Sequence, residues 1–191
     1  MFIGFQNKMK TFFVIIFLFS LIITMETLNL FRKKVVKLDK LQNCQKYPNA
    51  PIKFTENHLQ KQKKIYVLST KIVVKQTIPA DLKVDLTLTR CNTKDSPDTC
   101  ENYQKITIKK MCDLIPAKNK PWTPFMDIMT PQMSCPIKKG IYIVKNATFD
   151  GDAFSTLPID GYYWKVEANV KEGVHKSTVL CLNLEGQIVP V

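Results

Sequence analysis

Histidine is nearly missing from this chain: among 191 residues only His58 and His175 are histidines, and they stand apart from one another. Close C-x-x-C pairs are missing too. A structural zinc site wants such pairs with histidines nearby, so no metal is expected. A catalytic cysteine needs a free thiol beside a histidine, whereas Cys44, Cys91, Cys100, Cys112, Cys135 and Cys181 are even in number and spread along the chain. Acidic residues number only 16. Asp150 and Asp152 flank Gly151 and read as a turn before they read as the paired carboxylates of a glycosidase. An enzyme is therefore the least favoured reading, and no cofactor is expected.

Other absences narrow the class further. No internal repeat, low-complexity linker or long helical period runs through the sequence. Beyond the first 27 residues nothing is apolar enough to span a membrane. The formal net charge is +12, yet no aromatic-interleaved motif accompanies it, so nucleic acid is not an expected partner. Lysines are scattered, with small clusters at Lys33-Lys34, Lys61-Lys63-Lys64 and Lys109-Lys110. Outside a cell such charge would meet anionic lipid heads or acidic surfaces, or simply form a solvated face.

What is present begins with a leader. Lys8 and Lys10 precede an apolar run from Thr11 to Met25, broken only by Thr11, Ser20 and Thr24. A membrane span needs about 20 apolar residues, and this run is nearer a signal-peptide core. Glu26, Thr27 and the basic Arg32-Lys33-Lys34 follow. No Ala-x-Ala site is visible, so cleavage is expected between Thr24 and Asn29, with an uncleaved anchor as the alternative and Met9 as an alternative initiator. Residues 1–27 are thus read as a signal peptide and residues 28–191 as one secreted domain. An even cysteine count in an exported chain implies three disulfides, with fifteen connectivities open.

Strand patterning fills the mature chain. Leu82 to Arg90 alternates strictly between apolar and polar. After Gly161, the residues Tyr162, Trp164, Val166, Ala168 and Val170 fall on one face, and Tyr163, Lys165, Glu167, Asn169 and Lys171 on the other. Ile65 to Lys75, Gln104 to Lys109, Gly140 to Val144 and Ser177 to Leu184 are further candidates. Turn signals separate them at Pro79, Asp95-Ser96-Pro97-Asp98, Asp150-Gly151-Asp152, Glu172-Gly173 and Glu185-Gly186. The expected fold is all-β: a disulfide-stapled two-sheet sandwich or cup. Cys112 to Cys135 breaks the pattern, because Pro116, Pro121, Pro124 and Pro131 are too many for a strand or a regular helix. The same segment is apolar, with Trp122, Phe125, Met126, Ile128, Met129 and Met133. Either it folds over the core as a lid, or it presents an apolar surface.

From Met111 to Leu184 the chain resembles the ganglioside-activator family and the related insect CheB-type chemosensory proteins, within the broader MD-2-related lipid-recognition group. The resemblance rests on Met111-Cys112-Asp113-Leu114-Ile115-Pro116, on Cys135-Pro136-Ile137-Lys138-Lys139-Gly140-Ile141-Tyr142, and on Leu157-Pro158, Gly161-Tyr162-Tyr163-Trp164 and Cys181 in that order. It implies an apolar cavity between the sheets and the pairings Cys44–Cys181, Cys91–Cys100 and Cys112–Cys135. One departure is clear. The ganglioside activators carry a fourth disulfide inside the proline-rich loop, where this chain has the neighbourhoods of Trp122 and Gln132.

Lipid binding by such a fold needs no catalytic group. Two sheets about 10 Å apart fill the gap with side chains unless they splay, and then an acyl chain can substitute. Leu82, Val84, Leu86, Leu88, Tyr162, Trp164, Val166 and Val170 are the inward candidates, and for each taken singly ordinary core is the favoured reading. Of these, Leu86, Leu88, Trp164 and Val166 are named as lipid-binding, together with Trp122, Phe125, Met126, Ile128 and Met129 of the loop. At least two of those five loop residues are expected to border a cavity mouth or solvent. Asn146-Ala147-Thr148 is an N-glycosylation sequon. The expectation is a secreted non-enzymatic binder of a lipid or small hydrophobic ligand, with a lysosomal location as the alternative to the extracellular one, and with transient membrane contact and a partner hydrolase or receptor as its expected associates. An extracellular protein–protein interaction module with a closed core is the alternative.

Overall fold

Alternation dictates the long strands. With every second residue apolar from Leu82 to Leu88, an extended backbone places all four apolar side chains on one face. In the computed structural model, which describes residues 34–63, 65–154, 159, 161–173 and 176–190, this segment is part of a strand with its apolar row turned inward. The leader expected over residues 1–27, together with Leu157-Pro158 and His175, lies outside the described residues.

Among the described residues eight strands are formed: β1 (Lys34–Asn43), β2 (Ile52–Gln62), β3 (Ile65–Val74), β4 (Leu82–Cys91), β5 (Glu101–Ile108), β6 (Gly140–Ala147), β7 (Tyr163–Glu172) and β8 (Thr178–Pro190). They make two antiparallel sheets, one in the order β1-β8-β7-β4-β5 and one in the order β2-β3-β6. The fold is the disulfide-stapled two-sheet sandwich expected from patterning. Leu82 and Val84 of β4, Val170 of β7, Leu180 and Leu182 of β8 and Leu41 of β1 meet Ile52, Leu68, Ile72, Val74, Tyr142 and Val144 of the smaller sheet.

Polar side chains close the corner where the chain passes between sheets. The Asn43 amide donates to the Phe54 carbonyl at 2.7 Å and accepts from the Phe54 N–H at 3.0 Å, so it completes the backbone pairing of β2 from β1. Asn57, freed by the irregularity in β2, donates to the Leu41 carbonyl at 3.1 Å and accepts from the Thr70 hydroxyl at 2.5 Å. Buried backbone groups are thereby satisfied where no ladder runs.

All three disulfides have the pairings that the resemblance implied: Cys44–Cys181, Cys91–Cys100 and Cys112–Cys135. The first ties the end of β1 to β8, beside the bond from the Cys44 N–H to the Cys181 carbonyl.

Three expectations need correction. Glu185-Gly186 is no turn; it lies inside β8, paired with β1 and β7. Its glycine is required because a Cβ at Gly186 would stand 2.3 Å from the Lys37 carbonyl oxygen. The proline-rich segment does contain one helical turn, α1 (Thr123–Asp127), which tolerates Pro124 because the first turn of a helix needs no N–H donor there. Tyr163, placed on the outward face, is only 2% exposed.

The Tyr163 hydroxyl is buried and finds no hydrogen-bond partner among the described residues. Burial, reinforced by the negative charges of Asp39 and Glu185, pushes this phenol up to about 12. The folded protein therefore keeps a proton that the unfolded chain releases near 10.0, and stability falls as pH rises between those values. Tyr163→Phe removes both the buried orphan and the titration, so it should leave neutral-pH stability unchanged or higher. Its loss of stability from pH 10 to pH 12 should also be smaller than that of the parent, as urea unfolding at each pH would show.

Disulfide removal offers a graded check. Sequence separations of 137 for Cys44–Cys181 and 9 for Cys91–Cys100 correspond to about 5 and about 3 kcal/mol of chain-entropy stabilisation. The two paired Cys→Ala variants should rank in that order in guanidinium unfolding.

Candidate functional site

The inner rows of the five-stranded sheet do not end where the second sheet stops covering them. On β4 the row Leu82, Val84, Leu86 belongs to the main core, but Leu88 lies beyond it. On β7, Val170 and Ala168 are in the main core, while Trp164 belongs to a separate cluster with Ile159 and Ile188. On β1 and β8 the same division falls after Leu38 and Leu184, with Val36 and Ile188 on the far side. At that end the sandwich parts.

The gap is an apolar cavity of about 240 Å³ that opens to solvent. Its floor is built by Val36 and Leu38 of β1, Leu184 to Ile188 of β8, Trp164 and Val166 of β7 and Leu88 of β4. Its roof is not a strand. Phe149, Phe154 and Ile159, from the connection between β6 and β7, cover it together with Pro121 of the proline-rich loop. The wall is almost wholly apolar.

The roof is fastened on both sides. Asp150 bridges to Val35 of β1, and its N–H donates to the Pro121 carbonyl at 2.9 Å. The Lys34 N–H donates to the Asp152 carboxylate at 2.7 Å. Gly151 lies so close to the Lys34 backbone that a Cβ would stand 2.5 Å away. At the other side the Trp164 indole N–H donates to the Ile159 carbonyl at 2.8 Å. This bond satisfies the polar handle of a buried tryptophan and fixes Ile159 over the cavity.

The floor row on β4 ends at Arg90, directly across from Trp164. The Arg90 guanidinium lies over the rings of Tyr162 and Tyr103, at 4.5 and 5.1 Å from their centroids, and is paired with Glu101. Hydrogen bonding to Glu101 favours its charged form further. Tyr103 and Tyr162 also meet Trp164 edge to face. A rigid aromatic and cationic group thus stands beside the apolar cavity.

The sequence-based candidates divide sharply. Leu88, Trp164 and Val166 line the cavity, and Leu86 packs against the main core instead. None of the five loop candidates lines it. Phe125 and Met129 are buried in the main core, at 7% and 2% exposure. Phe125 lies within the short helix, and Met129 follows two residues past its end. Phe125 stacks between Phe54 and Phe149. Met126 packs against the core, and the half-buried Trp122 donates its indole N–H to the Leu114 carbonyl at 2.9 Å. Only Ile128 faces solvent substantially, alongside the outward Ile141 and Ile143 of β6. The loop is in the main a lid packed on the sandwich. Its contribution to the cavity is Pro121.

Cavity residues that sequence reasoning missed are Val36, Leu38, Leu184, Ile188, Phe149, Phe154 and Ile159. The row Leu180, Leu182, Leu184, Ile188 was visible as period-two alternation once Gly186 is read as strand. Nothing in the sequence near the Asp150 turn marks Phe149 and Phe154 as a roof.

One side-chain group among the described residues has metal-ligand spacing: Cys44, Glu167 and Cys181. Both sulfurs are spent in a disulfide, so no thiolate is left to coordinate. Asn146 is exposed on β6, with its side-chain oxygen accepting a 3.4 Å bond from the Ser69 hydroxyl.

No family model and no curated protein matches the sequence. Among solved structures the chain is similar to chicken MD-1 complexed with lipid IVa, at 10% identity and a TM-score of 0.36, over 82% of this chain and 97% of that one.

The lid assignment has a direct consequence. Phe125→Ala should cost about 3–5 kcal/mol in stability, because it empties a packed position between two aromatic rings. Ile128→Ala, at an exposed position, should cost no more than about 0.5 kcal/mol. Denaturant melts of both variants give the comparison.

Proposed function

We propose that this chain is an exported, non-enzymatic carrier that holds a lipid or other small hydrophobic ligand in the cavity between Leu88, Trp164, Val166, Leu184 and the Phe149–Phe154 roof. The observation that carries the reading is the wall itself: a solvent-open cavity of about 240 Å³ with almost no polar surface. Water in such a space finds few hydrogen-bond partners, and free energy is gained when hydrocarbon displaces it. The three disulfides fit an oxidising compartment, as does a cleaved leader over residues 1–27. Secretion, or delivery to a lysosome-like compartment, belongs to this reading, and a glycan at the exposed Asn146 would be compatible with it.

Within this role the protein would extract, carry or present its ligand. It would act as an activator cofactor for a hydrolase or as an accessory to a chemosensory receptor, with transient contact at a membrane surface during loading. Phe125 and Met129, held in the core, do not serve that contact.

A second reading, a protein–protein interaction module, is favoured by one observation. Ile128, Ile141 and Ile143 are each more than two-fifths exposed. The segment carrying Ile128 is joined to β6 by the paired backbone bonds between Thr130 and Ile143, so these residues belong to one region of the surface.

Mass spectrometry of natively folded protein purified without detergent separates the two. A carrier should release a stoichiometric apolar molecule on denaturation. Leu88→Trp, which fills the floor beside Trp164, should retain the fold by circular dichroism and carry at least ten-fold less of it. Protein that is empty after purification and takes up nothing from lipid vesicles would defeat the carrier reading.

A further inference from the structure

The size and fastening of the cavity say more about the ligand than its apolarity does. A cavity of about 150 Å³ accommodates one benzene ring, or six carbons at close packing. On that scale 240 Å³ holds roughly ten carbons, below the range of about 300–1,000 Å³ typical of pockets for drug-sized ligands. Two acyl chains side by side would need about twice the space.

The cavity has little means of widening. Its floor lies on four neighbouring strands, β1, β8, β7 and β4, whose spacing is set by ladder hydrogen bonds. Its roof is tied to β1 through Val35–Asp150, through the bond from Lys34 to Asp152 and through the Gly151 contact. It is tied to β7 through Trp164 and Ile159. Admitting a second chain would break several of these bonds at once, among them the buried bond from the Trp164 indole to the Ile159 carbonyl. The wall also offers no partner to a headgroup, so any polar group of the ligand must stay at the opening.

We infer that the cavity selects single-chain amphiphiles, burying one hydrocarbon chain of roughly ten carbons and excluding two-chain lipids. This rests on the carrier reading above and restricts it.

Calorimetric titration of the delipidated, disulfide-intact protein with linear alkanoates from hexanoate to hexadecanoate tests the inference. Each added methylene should tighten binding about four-fold until roughly ten carbons, beyond which affinity should level off. Didecanoyl phosphatidylcholine should bind no tighter than decanoate. Val166→Phe, which narrows the floor, should move the levelling point to shorter chains. Affinity that keeps rising to hexadecanoate, a two-chain lipid bound more than ten-fold tighter than decanoate, or an unmoved levelling point in Val166→Phe would each overturn the single-chain limit while leaving a carrier. Failure to bind any alkanoate or phospholipid would instead sink the carrier reading, and the chain limit with it.

Discussion

An apolar row on a β-strand must be covered along its whole length, and in this protein the second sheet covers only part of it. The rows of β1, β4, β7 and β8 run from the packed core around Leu82, Val170 and Leu180 to Val36, Leu88, Trp164 and Ile188. β8 alone has 13 residues, or about 44 Å when extended. Where β2, β3 and β6 no longer reach, the uncovered leucines and valines would face water at about 25 cal/mol for each Å². The chain meets this demand with an irregular roof from the β6–β7 connection. A roof of Phe149, Phe154 and Ile159 cannot interdigitate with the floor as a second sheet would, and the misfit is the cavity.

The other features follow from keeping that arrangement rigid. Cys44–Cys181 fixes β1 against β8 within the five-stranded sheet, at its packed end. Asn43 and Asn57 hold the corner between the sheets by satisfying backbone groups there. The lid between Cys112 and Cys135 sends Phe125 and Met129 into the main core, and through Phe149, stacked on Phe125 at 5.5 Å, it braces the roof from behind. The packing of the lid and the placement of the cavity are therefore one structural problem, joined at Phe149.

Much of this was legible in the sequence. Alternation from Leu82 to Leu88 and from Trp164 to Val170 marked the strands and placed Leu88, Trp164 and Val166 on the inner face, because a two-residue period maps directly onto sheet faces. The resemblance carried the disulfide pairing, which spacing alone left fifteen-fold open. What could not be read is where the second sheet ends, since that depends on how two sheets cross in space. Local rules also misled. Glu185-Gly186 has turn composition, yet Gly186 is there because β1 passes 2.3 Å from its would-be Cβ. Four prolines argued against a strand or a regular helix, yet a single helical turn with Pro124 in its first turn forms there and buries Phe125, and Met129 just past its end is buried as well.

The central claim is that an unfilled apolar space lies between the floor of β4, β7 and β8 and the Phe149–Phe154 roof. Crystals of the delipidated protein pressurised with xenon examine it most directly, because xenon occupies apolar cavities of this kind without needing polar contacts. The account predicts an anomalous peak bounded by Leu88, Trp164, Val166 and Phe154. A well-ordered cluster of waters hydrogen-bonded to protein in that space, or side chains filling it with no xenon bound, would contradict it.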